Sequence, residues 1–292
     1  MESAKFVQAA REGRQGARGE TARPGAEVDT GSSPCHIPRA EGAMDPLHQY
    51  VYDSIAHADH EVLSPLSKSK LDYVVDLLGL RPDARVLDLA AGKGELFIRV
   101  LERYGCTGEA IEPSPLFQAA MRAEAASRLE DGRATLVEAD PYEVEVEPDR
   151  YDLVMCLGAH PYGNLAETMT RAWALVRSGG MFLFADWHWL GSEPSADYID
   201  FLGCGVDTYE THEGLAALGL KEAFTPMYLT TASRDEIDHY ESQGNWSIEL
   251  WLRANPGDAR APAVRERSRK WRDAYLKWGR RDLGYGLYLF LK

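Results

Sequence analysis

Three carboxylates in this chain stand at the ends of short apolar runs, and a pair of glycines follows the first of them. Asp88 closes Arg85-Val86-Leu87-Asp88, Glu112 closes Gly108-Glu109-Ala110-Ile111-Glu112, and Asp140 closes Ala134-Thr135-Leu136-Val137-Glu138-Ala139-Asp140. Gly92 and Gly94 fall between the first acid and a stretch of helical apolar spacing, Glu95-Leu96-Phe97-Ile98-Arg99-Val100-Leu101. A glycine turn opening a helix leaves backbone N–H groups free and lets a ligand reach the main chain with no Cβ in the way. A carboxylate's two oxygens can accept from two neighbouring hydroxyls at once. Glu112 stands eighteen positions after Gly94, about where an acidic residue reaches ribose hydroxyls in nucleotide-binding βα units. These residue types in this order suit the grip of a nucleotide-like ligand across strand tips.

Other side chains suggest chemistry beside that grip. His160, in Leu157-Gly158-Ala159-His160-Pro161-Tyr162, follows an apolar run and is the leading candidate for a general base, since imidazole titrates near neutral pH. A histidine that only shapes its loop is the alternative. Trp187 and Trp189, in Asp186-Trp187-His188-Trp189, are candidates to wall a substrate pocket that is apolar or cationic. His57 and His60 lie three apart beside Asp59 and Glu61. No third ligand of sensible spacing accompanies them, so they read as histidines of a loop against the substrate, and no metal site is expected.

The elements that must hold these residues alternate. Apolar runs over 85–90, 108–112, 134–140, 151–158 and 181–186 read as buried strands, and helical patterns follow over 95–101, 115–128 and 164–177. Strands separated by helices of this length imply right-handed βαβ units and a doubly wound, mostly parallel sheet. Residues 220–231 and 284–291 suggest a sixth and a seventh strand, with helical patterns over 235–252 and 263–278 between them. That connection is far longer than a hairpin loop and reads as a helical insertion, about 233–282. Upstream, amphipathic patterns near 45–55 and 67–78 make residues 44–80 a helical cap on a domain spanning 81–292. Residues 1–43 are rich in Gly, Ser, Pro, Arg and Glu and read as a disordered tail, with Met44 as an alternative start.

A net charge of −14 over 292 residues argues against a nucleic-acid partner, because phosphate binding needs a cationic field. The four cysteines are scattered without C-x-x-C spacing, which points to a reducing, cytoplasmic compartment. No apolar run approaches the roughly 20 residues that span a bilayer, so no membrane partner is expected.

Asp88-Leu89-Ala90-Ala91-Gly92-Lys93-Gly94 resembles the first motif of class I S-adenosylmethionine-dependent methyltransferases, an acidic strand end followed by a D-x-G-x-G-x-G-like loop. It departs from the family at Ala90, commonly glycine there. A dinucleotide G-x-G-x-x-G reading fails because its third glycine position is Phe97. The resemblance implies a seven-stranded sheet whose last strand is antiparallel beside the fifth, with the terminal helices and the insertion forming a lid. It also implies S-adenosylmethionine as cofactor, Glu112 on its ribose, Asp140 on the adenine amino group with Pro141 beside the base, Ala90, Gly92 and Gly94 along its methionine portion, Leu157 in contact with it, and Asp88 orienting the loop or the ammonium. The activity expected is methyl transfer to a small molecule. A nonenzymatic S-adenosylmethionine- or nucleotide-binding regulator, and a protein or nucleic-acid methyltransferase, are the alternatives.

Overall fold

The computed structural model describes residues 46–292; the tail expected over 1–43 lies outside the described residues. Seven strands, β1 (Arg85–Asp88), β2 (Thr107–Ile111), β3 (Ala134–Val137), β4 (Tyr151–Leu157), β5 (Val176–Trp189), β6 (Thr225–Thr231) and β7 (Leu283–Leu291), form one sheet in the order β3-β2-β1-β4-β5-β7-β6. Neighbours from β3 through β5 are parallel, and β7 runs antiparallel to both β5 and β6. The order reverses between β1 and β4, so the crevice for a ligand belongs beyond the carboxyl ends of those strands.

Alternation along the central strands sends side chains into two layers. Val86, Leu153, Met155 and Leu183 pack on one face, with α2 (Lys68–Leu77), α3 (Glu95–Tyr104) and α4 (Pro115–Arg128). Leu87, Val154, Cys156, Phe182 and Phe184 pack on the other, with α5 (Leu165–Leu175) and α7 (His212–Lys221); α6 (Ala196–Leu202) precedes α7 in the chain. β7 is buried along almost all of its length, which is why its sequence is a continuous apolar run rather than an alternation.

A further core joins the two ends of the described chain. Ile55 and Ala56 of α1 (Pro46–Ala56) pack against Ile248 and Leu252 of α8 (Arg234–Ala254) and Ala261 and Val264 of α9 (Ala261–Ala274). Gly244 is the closest point: a Cβ there would lie 3.4 Å from the Ala56 carbonyl oxygen. Ser233 and Glu236 close a capping box at the start of α8, and Glu236 also accepts from the Ser67 N–H and the Lys70 ammonium, fixing α8 to α2.

Two expectations are corrected. The fifth strand is longer than 181–186, because it pairs with β7 over Met181–Trp189 and begins at Val176. Residues 220 and 221 end a helix rather than open a strand, and β6 begins only at Thr225. Glycine weakens the helical pattern of α7, yet Gly219 is needed there, since a Cβ would collide with the Phe290 ring. Among the described residues no helix is long and apolar enough to cross a membrane, and no cluster of three or more His, Cys, Asp or Glu could hold a metal ion.

Candidate functional site

Glu112 organises the crevice. Its carboxylate is buried, with Oε2 accepting from the Gly92 N–H at 2.8 Å and Oε1 from the Ser114 N–H at 2.8 Å. One side chain therefore fixes both the glycine turn after β1 and the start of α4 after β2. Burial pushes its pKa up to about 7, although the two N–H bonds favour the anion. Asp88, at the end of β1, accepts from the Ala90 N–H at 3.1 Å. Burial pushes Asp88 up to about 7 as well, and the charge of Glu112 adds to the shift.

Gly92 and Gly94 both take positive φ, +57° and +78°, a region L side chains rarely adopt. At Gly94 an added Cβ would run into the Met121 side chain of α4. The close helix-to-sheet approach that a third glycine gives in dinucleotide sites is made here from the other partner. Phe97 sits on α3 and the glycine is Gly108 of β2, where a Cβ would come within 2.6 Å of the Phe97 ring.

The glycine turn is also tied to the loop after α1. Lys93 Nζ donates to the carbonyl oxygens of His57, Ala58 and His60 at 3.1, 3.1 and 2.7 Å. Leu63 rests against Gly92, 2.7 Å from where a Cβ would be. His60 Nε2 lies 3.0 Å from the Tyr240 carbonyl oxygen, so that nitrogen carries the proton and Nδ1 is left to accept from His57 Nδ1, 3.4 Å away. Burial lowers both imidazoles, His57 to about 3, with each other's charge and that of Lys93 acting the same way on His57. Two neutral rings thus link the loop to α8.

These parts enclose a cavity of about 280 Å³ over the carboxyl ends of β1, β2 and β4. Asp88, Ala90, Gly92, Gly94, Glu112, Leu157, Trp187, His57 and His60 line it together. Four candidates do not. Asp140 spends Oδ1 on the Tyr142 N–H at 2.8 Å, capping a short turn that buries Pro141. Trp189 is buried one layer back, its indole N–H donating to the Val206 carbonyl oxygen at 2.8 Å. His160 is absent from the lining and pairs with Asp186, Nε2 donating to Oδ2 at 2.6 Å and leaving Nδ1 as the acceptor nitrogen. The remaining wall comes from Tyr52 of α1, Tyr240, Glu241 and Asn245 of α8, and Trp271 of α9, with Tyr275 just after it. The face of α8 at 240, 241, 244, 245 and 248 repeats at helical spacing, a signal present in the sequence and overshadowed by the charged residues between.

A family model described as a methyltransferase domain matches residues 86–180. The fold resembles a Geobacter sulfurreducens S-adenosylmethionine-dependent methyltransferase solved with S-adenosylhomocysteine, with a TM-score of 0.75 and 26% identity over 82% of this chain and 97% of that one. It also resembles a Thiobacillus denitrificans S-adenosylmethionine-dependent methyltransferase solved with the same molecule, with a TM-score of 0.72 and 25% identity over 82% and 96%. The uncharacterised Escherichia coli (strain K12) protein YjhP is 25% identical over 82% of this chain and 96% of its own length. The chain carries an S-adenosylmethionine-dependent methyltransferase domain. The matched residues run from β1 into β5, so the methyltransferase part includes the Asp88 turn and Glu112, while Glu241 and the rest of the α8 wall lie outside it.

Proposed function

We propose that this protein transfers a methyl group from S-adenosylmethionine to a small-molecule acceptor inside the cavity. The observation that carries this reading is the shared space. Asp88, Glu112 and the glycine turn face the same cavity as aromatic and acidic side chains of α8 and α9, so donor and acceptor sites adjoin. Helices from both ends of the described chain pack together beside that space and act as a lid. A lidded chamber of this size favours a metabolite over a polymer.

The donor set suits the cofactor. Each Glu112 oxygen has accepted one N–H and keeps a lone pair for a ribose hydroxyl. Asp88 is a second buried acid near the place for the ligand's cationic portion, and Gly92 and Gly94 hold the turn open. Leu157, Ala90 and Phe117 bound the apolar side; Asp140 and Pro141, beyond the lining, act on the adenine end only through the turn they cap. When bound, S-adenosylmethionine supplies an electrophilic methyl on a sulfonium. The chain's own task is alignment and exclusion of water. His160 is then a positioning residue that holds the loop after β4 through Asp186.

The test is incubation of the purified protein with methyl-labelled cofactor and a cell extract, followed by separation by size. Label in a low-molecular-weight product is the expected result. Label confined to protein or nucleic acid, or none at all, overturns the reading.

A further inference from the structure

The wall contributed by the insertion contains one charge that the protein leaves uncompensated. Trp271 Nε1 donates to Glu241 Oε2 at 2.8 Å. No other hydrogen bond to the Glu241 side chain, and no salt bridge, exists among the described residues, although Glu241 lines the cavity. On the donor side Asp88 and Glu112 are held by main-chain N–H groups. Lys93 is bound to three carbonyl oxygens, and Glu61 and Glu95 share Arg99. Arg267 lies over the Tyr52 ring, 3.9 Å from its centroid, and 3.9 Å from Asp53.

Glu241 is partly buried, and a carboxylate in an aromatic wall with no cation beside it is unfavourable unless a ligand brings the missing charge. Burial accordingly raises Glu241 to about 7, while the Trp271 bond favours the anion. Its surroundings are aromatic: Tyr52, Tyr240, Trp271 and Tyr275 line the same wall. Aromatic faces attract cations, and the acids of the lining, Asp53, Asp88, Glu112 and Glu241 among them, repel an anionic acceptor.

We propose that Glu241 anchors a protonated amine on the methyl acceptor, with Tyr240, Trp271 and Tyr275 as aromatic walls, so that the acceptor class is a small organic cation. This rests on the methyltransferase reading and narrows its substrate. The same wall disfavours an acceptor without net positive charge, whether anionic or zwitterionic.

The experiment splits a low-molecular-weight metabolite extract at neutral pH into pools retained by a cation exchanger, retained by an anion exchanger, and unretained. Each pool is incubated with the full-length protein and methyl-labelled S-adenosylmethionine. Label should enter the cationic pool. Glu241→Gln keeps an oxygen for the Trp271 indole; it should lose at least about tenfold in turnover on that pool, with S-adenosylhomocysteine affinity unchanged within about twofold. Tetramethylammonium chloride should inhibit the wild-type protein on that pool more than sodium chloride of equal ionic strength, a measurement independent of how the variant folds. Label only from the anionic or unretained pool, undiminished turnover by Glu241→Gln, or equal inhibition by the two salts overturns the proposal and leaves methyl transfer standing. Absence of product from every pool overturns the methyltransferase reading and this proposal together.

Discussion

Replacing Glu112 by alanine tests the centre of the site. The side chain accepts two main-chain N–H bonds at 2.8 Å, from Gly92 and Ser114. Bonds to a charged group contribute about 1.5–3 kcal/mol each, and a buried N–H left without a partner costs about 1–3 kcal/mol. The gain is reduced because burial has already raised the carboxyl to about 7. A net loss of about 2–4 kcal/mol in stability follows, visible as a lower Tm in thermal unfolding. Removal of the ribose contacts should further weaken S-adenosylhomocysteine by about 1–3 kcal/mol, or about 5- to 150-fold, in calorimetry below the new Tm. Glu109→Ala is the control. Glu109 lies on β2, three residues before Glu112, and accepts from the Tyr151 hydroxyl at 3.0 Å, outside the cavity lining, so its loss should leave affinity unchanged. A cofactor fragment without ribose hydroxyls separates contact from turn geometry: it should lose little on Glu112→Ala. Unchanged affinity for S-adenosylhomocysteine would remove Glu112 from the site, and an equal loss for the fragment would restrict it to shaping the turn.

Lys93→Met removes three carbonyl contacts of a half-buried ammonium and should cost about 1–3 kcal/mol, with faster hydrogen exchange over residues 57–63; unchanged exchange there would mean that the tether is idle. Gly94→Ala should lose about 2–4 kcal/mol, from positive φ and from the collision with Met121; adding Met121→Ala should recover only the steric part, and full recovery would refute backbone strain as a cause. Glu241 has a folded pKa raised to about 7 by burial, so the stability linked to it is present below the unfolded carboxylate range and is lost as pH rises through 7. Glu241→Gln should therefore gain Tm relative to wild type at pH 8 and little at pH 5, and a difference that does not vary with pH would contradict the assignment.

Local physics made the strand–glycine turn–helix unit at the cavity legible. A strand end, two glycines and a helix lie within ten residues, and the next strand end supplies Glu112; each signal is short-range and unambiguous. The sheet followed from apolar runs alternating with helical patterns. What escaped depends on contacts distant in sequence. β5 is extended by nine residues of pairing with β7, and α7 is stabilised against Phe290 in spite of its glycines. Asp140 ends a strand-like run as Asp88 and Glu112 do, but β3 stops at Val137 and the side chain caps the turn that follows. His160 has the right chemistry in the right loop, yet its orientation is decided by Asp186, twenty-six residues on. Trp189 stands two residues beyond Trp187 and shares its face of the strand, but at that point the face is covered by Tyr198 and Tyr209.

The same distance in sequence explains the division of labour in the cavity. The donor side lies within the segment matched by the methyltransferase model and is held by main-chain groups, which any sequence with the glycines and Glu112 can supply. The side proposed for the acceptor is built from side chains on α1, α8 and α9, whose mutual packing involves Ile55, Ile248 and Val264 rather than the sheet. Substitutions at Tyr240, Glu241 or Trp271 can then change the acceptor without disturbing the strands, provided that the Ile55–Ile248 core keeps its volume. Lys93 joins the two halves, since it lies in the donor turn and binds the loop that leads from α1 to α2.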